Sequence, residues 1–519
     1  MGGERDKATR CGWLSMSAET GVAGFGRATR HSAQALFDRG SALVGGPARA
    51  RVILLLAAAL GLQGADVATL SATADDLQRV FGIGNTAIGL LVSVTALAGT
   101  LGTIPIGVLT DRTRRTRLLA ISIGLWAVAM LFAGAATSFG WLLIARVGLG
   151  AVTATVGPTI ASLTGDFFPA RSRARMLGYI LGGELVGTGI GFTISGEIAA
   201  LVGWRFAFWW LVIPTAALVW LVWQLPEPAR DGQSRLQPGQ TDIPDEREVG
   251  TSGTPSPGAD SEAEEADVSA GEVVRGKRVE PQPELVLTED PTDRSLWWAV
   301  RYVLRVRTNV LIIIASALGY FYFAGLQAFA IIFVTSQYSI SKSVASVLTL
   351  VVGIGAVAGV YLGGRTADRL LGRGQINARV AVPAVALFAV VAVFAPAVAT
   401  TSIGLALPLL TLGAGLLSAA NPPLDAARLD IIHPALWGRA EGVRTVLRTL
   451  AQAASPLLFG WMSERVFGGG RHGLEFTFLV FLIVLIAAAA LSLSAIRSYP
   501  RDVATAAESY RRHPLTDAS

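Results

Sequence analysis

Apolar positions along this chain fall into long runs separated by short polar stretches. They do not alternate as in a strand, and they are not confined to one stripe as on a surface helix. A helix rising 1.5 Å per residue needs about 20 apolar residues to cross a hydrocarbon layer of roughly 30 Å. Six runs of that length are predicted over 52–73, 87–109, 117–137, 140–163, 174–199 and 204–225. Six more follow over 309–335, 342–365, 378–398, 402–424, 440–465 and 475–496. The pattern predicts an all-α polytopic membrane protein with twelve spans.

The two sets of runs are related. Gly107-Val-Leu-Thr-Asp111-Arg112, followed by Arg114, Arg115 and Arg117, closes the second run; Gly364-Arg-Thr-Ala-Asp368-Arg369, followed by Arg373 and Arg379, closes the eighth. Gly364 follows Gly107 by 257 residues, and Asn309 follows Val52 by the same 257. A shared offset for hydropathy and loop motif predicts a duplicated unit: two six-helix bundles related by a pseudo-twofold axis, as in many secondary transporters. The chain then divides into a tail (1–50), a bundle (51–225), an acidic linker (226–306), a second bundle (307–497) and a tail (498–519).

Composition sharpens the class. Hydrophobic residues make up 52% of the chain and charged ones 15%, against about a quarter charged in soluble proteins. The net charge of +6 hides an asymmetry, because residues 226–295 carry 17 acidic and 7 basic groups. The basic excess lies in short loops: Asp111–Arg117, Pro169–Arg175, Arg365–Arg379 and the tail from Arg497. By the positive-inside rule both termini and the linker are cytoplasmic, in a cell (inner or plasma) membrane. Residues 226–295 hold nine Pro and few large apolar side chains, a composition that predicts a disordered tether. Leu296–Arg307, with Trp297, Trp298, Tyr302 and several Arg, reads as an interfacial amphipathic helix. Cys11 is the single cysteine, so disulfides and cysteine metal sites are excluded. The first run has no cleavage-site pattern after it and is read as a retained span.

The motifs resemble the major facilitator superfamily over 51–225 and 307–497. Gly107, Leu109, Asp111, Arg112 and Arg115 match its signature loop, with Arg114 where Gly is usual. Leu143-Ile-Ala-Arg146-x-x-x-Gly150 resembles its span-4 motif, and Asp166-Phe-Phe-Pro169 the usual end of that span. Asp66, Gly89-Leu-Leu, Arg146 and Asp166 are similar to spinster-like lipid transporters, which place a Glu where Thr153 stands here. Gly183, Gly187, Gly189, Gly191 and Gly196 resemble the Gly-rich span 5 of drug:proton antiporters, although that motif's Gly-Pro pair is absent. The resemblance implies a monomeric transporter with no cofactor, carrying a small molecule or lipid and exchanging protons.

Ionisable groups inside the runs mark the candidate chemistry, since a charge there needs a partner or a wet cavity. Asp66 lies about 14 residues into span 1, or about 21 Å, and Arg146 about 6 residues from the opposite face, or about 9 Å, so both reach one depth. They are candidates for proton coupling; the plainer reading is a permanent ion pair joining spans 1 and 4. Glu184, near mid-bilayer in span 5, could replace the carboxylate missing at Thr153. Glu197 lies near the outer surface and calls for no partner. By resemblance, Gly107, Asp111, Arg112, Arg115, Asp166, Gly364, Asp368 and Arg369 form a cytoplasmic latch, with Arg115 reaching Asp166. Glu441, Arg444, Arg448 and Gln452 share one face of span 11. Arg448 either binds an anionic headgroup or pairs with Asp425 or Asp430. Tyr320, Tyr322 and Gln327 in span 7 stand in an aromatic wall; with Arg444, Arg448 and Gln452 they are the cavity candidates. Asn421-Pro422-Pro423 should break span 10.

Together these features predict alternating access, with proton-coupled export of a lipophilic or amphipathic compound. The competing readings are uptake of a sugar or organic acid, and a sensor or scaffold acting through the acidic segment. An enzyme is disfavoured: His31, His433, His472 and His513 are the only histidines, none is mid-membrane, and no catalytic, metal-ligand or phosphate-cradling pattern is present. Nothing points to nucleic acid.

Overall fold

The computed structural model describes residues 41, 46–168, 170–228, 236, 270–289, 291 and 294–512; side chains at 103–105, 107–108, 110–112, 161, 165, 170–175, 177, 296, 435 and 438 are outside the description. The described chain is helical throughout. The first half comprises α1 (Pro47–Phe81), α2 (Asn85–Arg112), α3 (Arg115–Gly134), α4 (Phe139–Thr153), α5 (Val156–Phe167), α6 (Ala170–Leu201), α7 (Trp204–Trp209) and α8 (Val212–Trp223). After a short α9 (Ala270–Gly276) and α10 (Leu296–Arg305) come α11 (Arg307–Tyr338), α12 (Lys342–Gly372), α13 (Ala378–Ala399), α14 (Ile403–Ala419), α15 (Asn421–Asp430), α16 (Trp437–Trp461), α17 (Gly470–Ala495) and α18 (Tyr499–Arg512).

Ten stretches among the described residues are long and apolar enough to cross a membrane. The sequence runs expected at 174–199 and 440–465 are the two outside that set. They correspond to α6 and α16, which are 32 and 25 residues long but interrupt their apolar surface with Glu184, Glu197, Glu441, Arg444 and Arg448. Span 4 is split between α4 and α5 at Ala154 and Thr155, and span 10 at Ala420, where Pro422 and Pro423 open α15. Proline lacks the amide that α14 would need to continue but fits a first helical turn.

Small residues set the closest helix contacts, because lipid tails give apolar helices little reason to associate except good packing. Gly183, Gly187 and Gly191, spaced by four on α6, face Ala57, Gly61 and Ala65 of α1 so closely that a Cβ on any of them would collide with backbone. The glycines of span 5 are therefore a packing notch. On the other side of the molecule Gly355, Gly359 and Gly363 of α12 meet Thr411, Gly415 and Ala419 of α14 in the same way.

The linker departs from expectation. Leu236 is tied back to the first half, its amide donating to Phe167 O and its carbonyl accepting from Arg49 Nε and Nη2 at 3.0 and 2.6 Å. Residues 270–289 are packed: Ala270, Val274 and Leu287 join Val303, Val306, Leu371, Ile431, Tyr499 and Val503 in one apolar cluster beneath the second half. The tail is likewise helical over α18, where Asp502 accepts from Thr308 N at 3.1 Å and from Gln282 Nε2 at 3.0 Å. The disordered reading of 226–295 thus fails for its last third. Val273, Val274, Leu285, Val286 and Leu287 supply the apolar surface that overall composition obscured. On α10, Trp298 stacks on Tyr302 while Trp297 stays 82% exposed.

Candidate functional site

The halves touch at the end far from the chain termini. There Lys342 Nζ reaches Asp76 Oδ2 at 2.7 Å, Ser343 Oγ donates to Glu197 Oε2 at 2.9 Å, and Thr86 N donates to Glu464 Oε2 at 3.0 Å. A single π turn over Met462–Val466 presents Glu464 and also Ser463, whose Oγ accepts from Asn85 Nδ2 at 3.1 Å. One turn deeper, Gly89 and Ser93 of α2 meet Pro456 and Leu457 of α16. The same face of α2 continues as Leu97 and Leu101, which are 42% and 68% exposed, so the halves part from there toward the termini. Glu197, read from sequence as needing no partner, belongs to this seal. Nothing in the motifs foretold it, because its members come from unrelated positions of α1, α2, α6, α12 and the turn after α16.

Asp66 and Arg146 lie together as the depth argument expected. Arg146 Nη1 donates to Asp66 Oδ1 at 2.7 Å and Nε to Thr95 Oγ1 at 3.2 Å. Both residues are shut from solvent, at 2% and 1% exposure. Two charges so enclosed are stable only as a pair, since removing either leaves an uncompensated ion. Thr153, at the position of the expected Glu, donates its hydroxyl to Gly150 O at 2.9 Å and borders a hollow of about 10 Å³, room for one water.

Glu184 is different. It sits in the middle of α6 and yet is exposed, because it faces the space between the halves. Arg448 of α16 lies within electrostatic reach of its carboxylate. The Arg448 guanidinium lies over the Tyr320 ring of α11, 5.0 Å from its centroid, a cation–π contact. Gln327, two turns on from Tyr320, and Gln452, one turn on from Arg448, are half-buried.

Two cavity candidates are corrected. Tyr322 is fully buried inside the second half against Phe394, Phe459 and Phe478, since two residues carry it about 200° around α11 from Tyr320. Arg444 is engaged at the mouth, paired with Asp425 and, at 3.0 Å, with Glu441; Arg428 also pairs with Glu441. Arg448 takes neither acidic partner foreseen for it, because Asp425 meets Arg444 and Asp430 meets Arg379.

At the termini-bearing end Arg115 pairs with Asp166, and its Nε donates to Glu227 Oε1 at 2.9 Å. Burial would raise Glu227, but hydrogen bonds from Thr116 and Arg115 outweigh it and hold the carboxyl below the ordinary glutamate value. The second half repeats the pair: Arg379 Nη1 contacts Asp430 at 2.6 Å, Asp368 follows at 3.3 Å, and Tyr499 Oη donates to Asp430 at 2.5 Å. Arg115 to Asp166 and Arg379 to Asp430 are each 51 residues apart. That equal spacing is the sequence signal for a duplicated pair, and it lies beyond the loop motifs themselves. Asp368 of the second loop motif therefore meets Arg379. Arg369 is exposed, and Gly364 lies against Pro422. The surroundings of Gly107 and the side chains of Asp111 and Arg112 fall outside the description, so their part in the latch is not placed.

A profile of the Major Facilitator Superfamily matches residues 55–456. Protein spinster of Drosophila melanogaster is 31% identical over 166 residues, which are 31% of this chain and 27% of that protein. The cis,cis-muconate transport protein of Acinetobacter baylyi is 30% identical over 35% of this chain and 44% of its own length. The matched part is under two thirds of either relative. Among solved structures, a bacterial homolog of the human lysosomal transporter Spinster, inward-facing and unoccupied, superposes with a TM-score of 0.67 at 20% identity, covering 88% of this chain and 98% of that one. A D-xylose-proton symporter gives 0.61 at 17% identity, over 85% and 96%. At such identities the likeness is one of fold. The chain is a multi-pass membrane transporter and not an enzyme. Matched across most of its length and built as two groups of membrane helices that close on one another at one end, it belongs to the Major Facilitator Superfamily of secondary transporters.

Proposed function

We propose that the chain moves an amphipathic small molecule by alternating access, coupled to protons, through the space between its halves. The termini-bearing end is taken as cytoplasmic, on the arginine-rich loops gathered there. One observation carries the reading: a carboxylate, Glu184, stands exposed at mid-helix across from Arg448 and Tyr320, where a soluble cargo and a proton could both reach it. Asp66, held by Arg146 behind this space, is a second proton site that loads when the pair opens. Arg115–Asp166 and Arg379–Asp430 brace the cytoplasmic ends of the two halves as each rocks against the other. Export of a lipophilic compound suits the exposed Leu97 and Leu101 and the aromatic α11. Uptake of an organic acid is the second reading, favoured by Arg448 and by the Acinetobacter relative.

The test begins with mass spectrometry of compounds that co-purify with gently solubilised protein. The compound found is then loaded into proteoliposomes under an imposed pH gradient. Gradient-driven flux in the wild type, with Glu184→Gln retaining exchange but losing the response to pH, is the expected result. Flux indifferent to the gradient overturns proton coupling, and the sign of the productive gradient separates export from uptake.

A further inference from the structure

The site can be taken one step further, to the charge of its cargo; this step rests on the alternating-access reading above. Among the described residues Arg448 of α16 has no carboxylate in salt-bridge contact, and Arg439 of the same helix donates to Pro291 O at 3.1 Å. Arg444 is engaged by Asp425 and Glu441, Arg428 by Glu441, and Arg379 by Asp430, which also accepts from Tyr499. Arg448 has Tyr320 under its guanidinium, and its Nε is closed to solvent without a hydrogen-bond partner among the described residues. A guanidinium is a planar fork of donors that suits carboxylate and phosphate oxygens in pairs. The groups turned toward Glu184 from the surrounding helices are few. They are Arg448 from α16 and Tyr320 from α11, with Arg444 and Asp425 one turn nearer the mouth. Gly64 of α1 lies against the Glu184 carbonyl, Asp66 of α1 is turned away to Arg146, and α12 packs on α6 farther along, Leu350 at Gly189 and Ser346 at Gly196.

We propose that Arg448 and Tyr320 form the subsite for the anionic head, carboxylate or phosphate, of an amphipathic substrate, with Glu184 as the internal counter-ion that must take a proton before the loaded carrier closes. The charge count gives the reason. In the empty carrier Glu184 and Arg448 neutralise one another as the halves approach, so it can reorient unloaded. When a substrate anion takes Arg448, the Glu184 charge is left alone in a closing, water-poor site. An unpaired charge at that depth disfavours closure about 100-fold. A proton on Glu184 removes the charge, so one proton enters at this residue with each anion. The apolar part of the substrate lies along Leu97 and Leu101.

The test is titration calorimetry on the purified full-length protein, in two buffers of different ionisation enthalpy. The probes are octanoate and octyl phosphate, with octanamide as the neutral counterpart. Wild type should bind at least one anion with net proton uptake and favour it over the amide. Arg448→Gln should weaken that binding tenfold or more, the loss expected of a charge-assisted contact. Arg448→Lys, which keeps the charge without the fork, should fall between and guards against a folding defect in the first variant. Glu184→Gln should bind without proton uptake, with affinity no longer rising as pH falls. Binding of neither anion, or equal binding by Arg448→Gln, overturns the subsite, and binding by wild type without proton uptake overturns the counter-ion. Labelling of Ser93→Cys, buried where α2 meets Leu457 of α16, in a Cys11→Ser background, reports in the same preparation whether the far end opens and closes. If it does while no anion binds, the transporter reading stands and the anionic subsite alone falls; a far end that never changes overturns the alternating-access reading itself.

Discussion

Separating the Asp66–Arg146 pair is the sharpest test of how the first half works. Each residue is at least 98% buried, the ion pair is 2.7 Å long, and Thr95 holds the arginine from a third helix. Arg146→Met leaves a carboxylate with no neutralising partner in the interior, a loss of about 3–5 kcal/mol for breaking a buried pair from one side. Asp66→Asn strands the guanidinium at a similar cost. The double variant removes both charges, and a buried pair replaced by neutral groups is about neutral or better. Unfolding of the detergent-solubilised protein should therefore show two unstable single variants and a double variant close to wild type, a coupling energy of several kcal/mol. Transport decides what the pair is for. If Asp66 carries a proton, the stable double variant still exchanges substrate but fails to respond to a pH gradient. Recovery of gradient-driven flux by that variant would refute the coupling role and leave the pair as a brace between α1 and α4.

Other expectations follow from particular contacts. Lys342→Ala removes one tie of the far-end seal; for a pair with 16% and 17% side-chain exposure the loss is about 1 kcal/mol, so the far-end-open population should rise about fivefold in spin-label distance measurements. Gly187→Ala should destabilise the first half strongly, because its Cβ meets the Gly61 backbone and not a side chain that can move. Glu227 is held below the ordinary glutamate value, so its contribution is present above about pH 4.5 and is lost as pH falls through the folded value. Glu227→Gln should flatten that acid limb of a stability–pH curve while barely altering its slope near neutrality. Val503→Ala, which removes two buried methyl groups from the cluster under the second half, should cost about 2 kcal/mol, whereas trimming residues 240–265 should leave both stability and transport intact.

Much of this protein was legible without coordinates. Hydropathy runs give helices because the bilayer leaves backbone groups no other way to bond, and a helix that crosses it has a fixed minimum length. The depth of Asp66 and Arg146 followed from counting residues along two such helices, and their meeting follows from the cost of leaving either alone. Proline at 422 and 423 ended α14 by covalent geometry. The packed stretch at 270–289 was hidden because its five or so apolar residues sit among acidic ones, and a window over the whole linker averages them away.

What the chain alone determined is therefore whatever depends on local geometry or on one charge in one solvent: spans, breaks, the orientation bias and the buried pair. Only the assembled helices decided which faces look at one another. A rotation of a hundred degrees per residue separates Tyr320, under the Arg448 guanidinium, from Tyr322 in the core, and periodicity cannot say which of the two is turned inward. The same holds for Arg444 and Arg448, a turn apart on one face. One meets Asp425, five residues into α15, and the other lies over the Tyr320 ring of α11. The far-end seal is the extreme case, since its members share no spacing and acquire a common role only when two halves close in three dimensions.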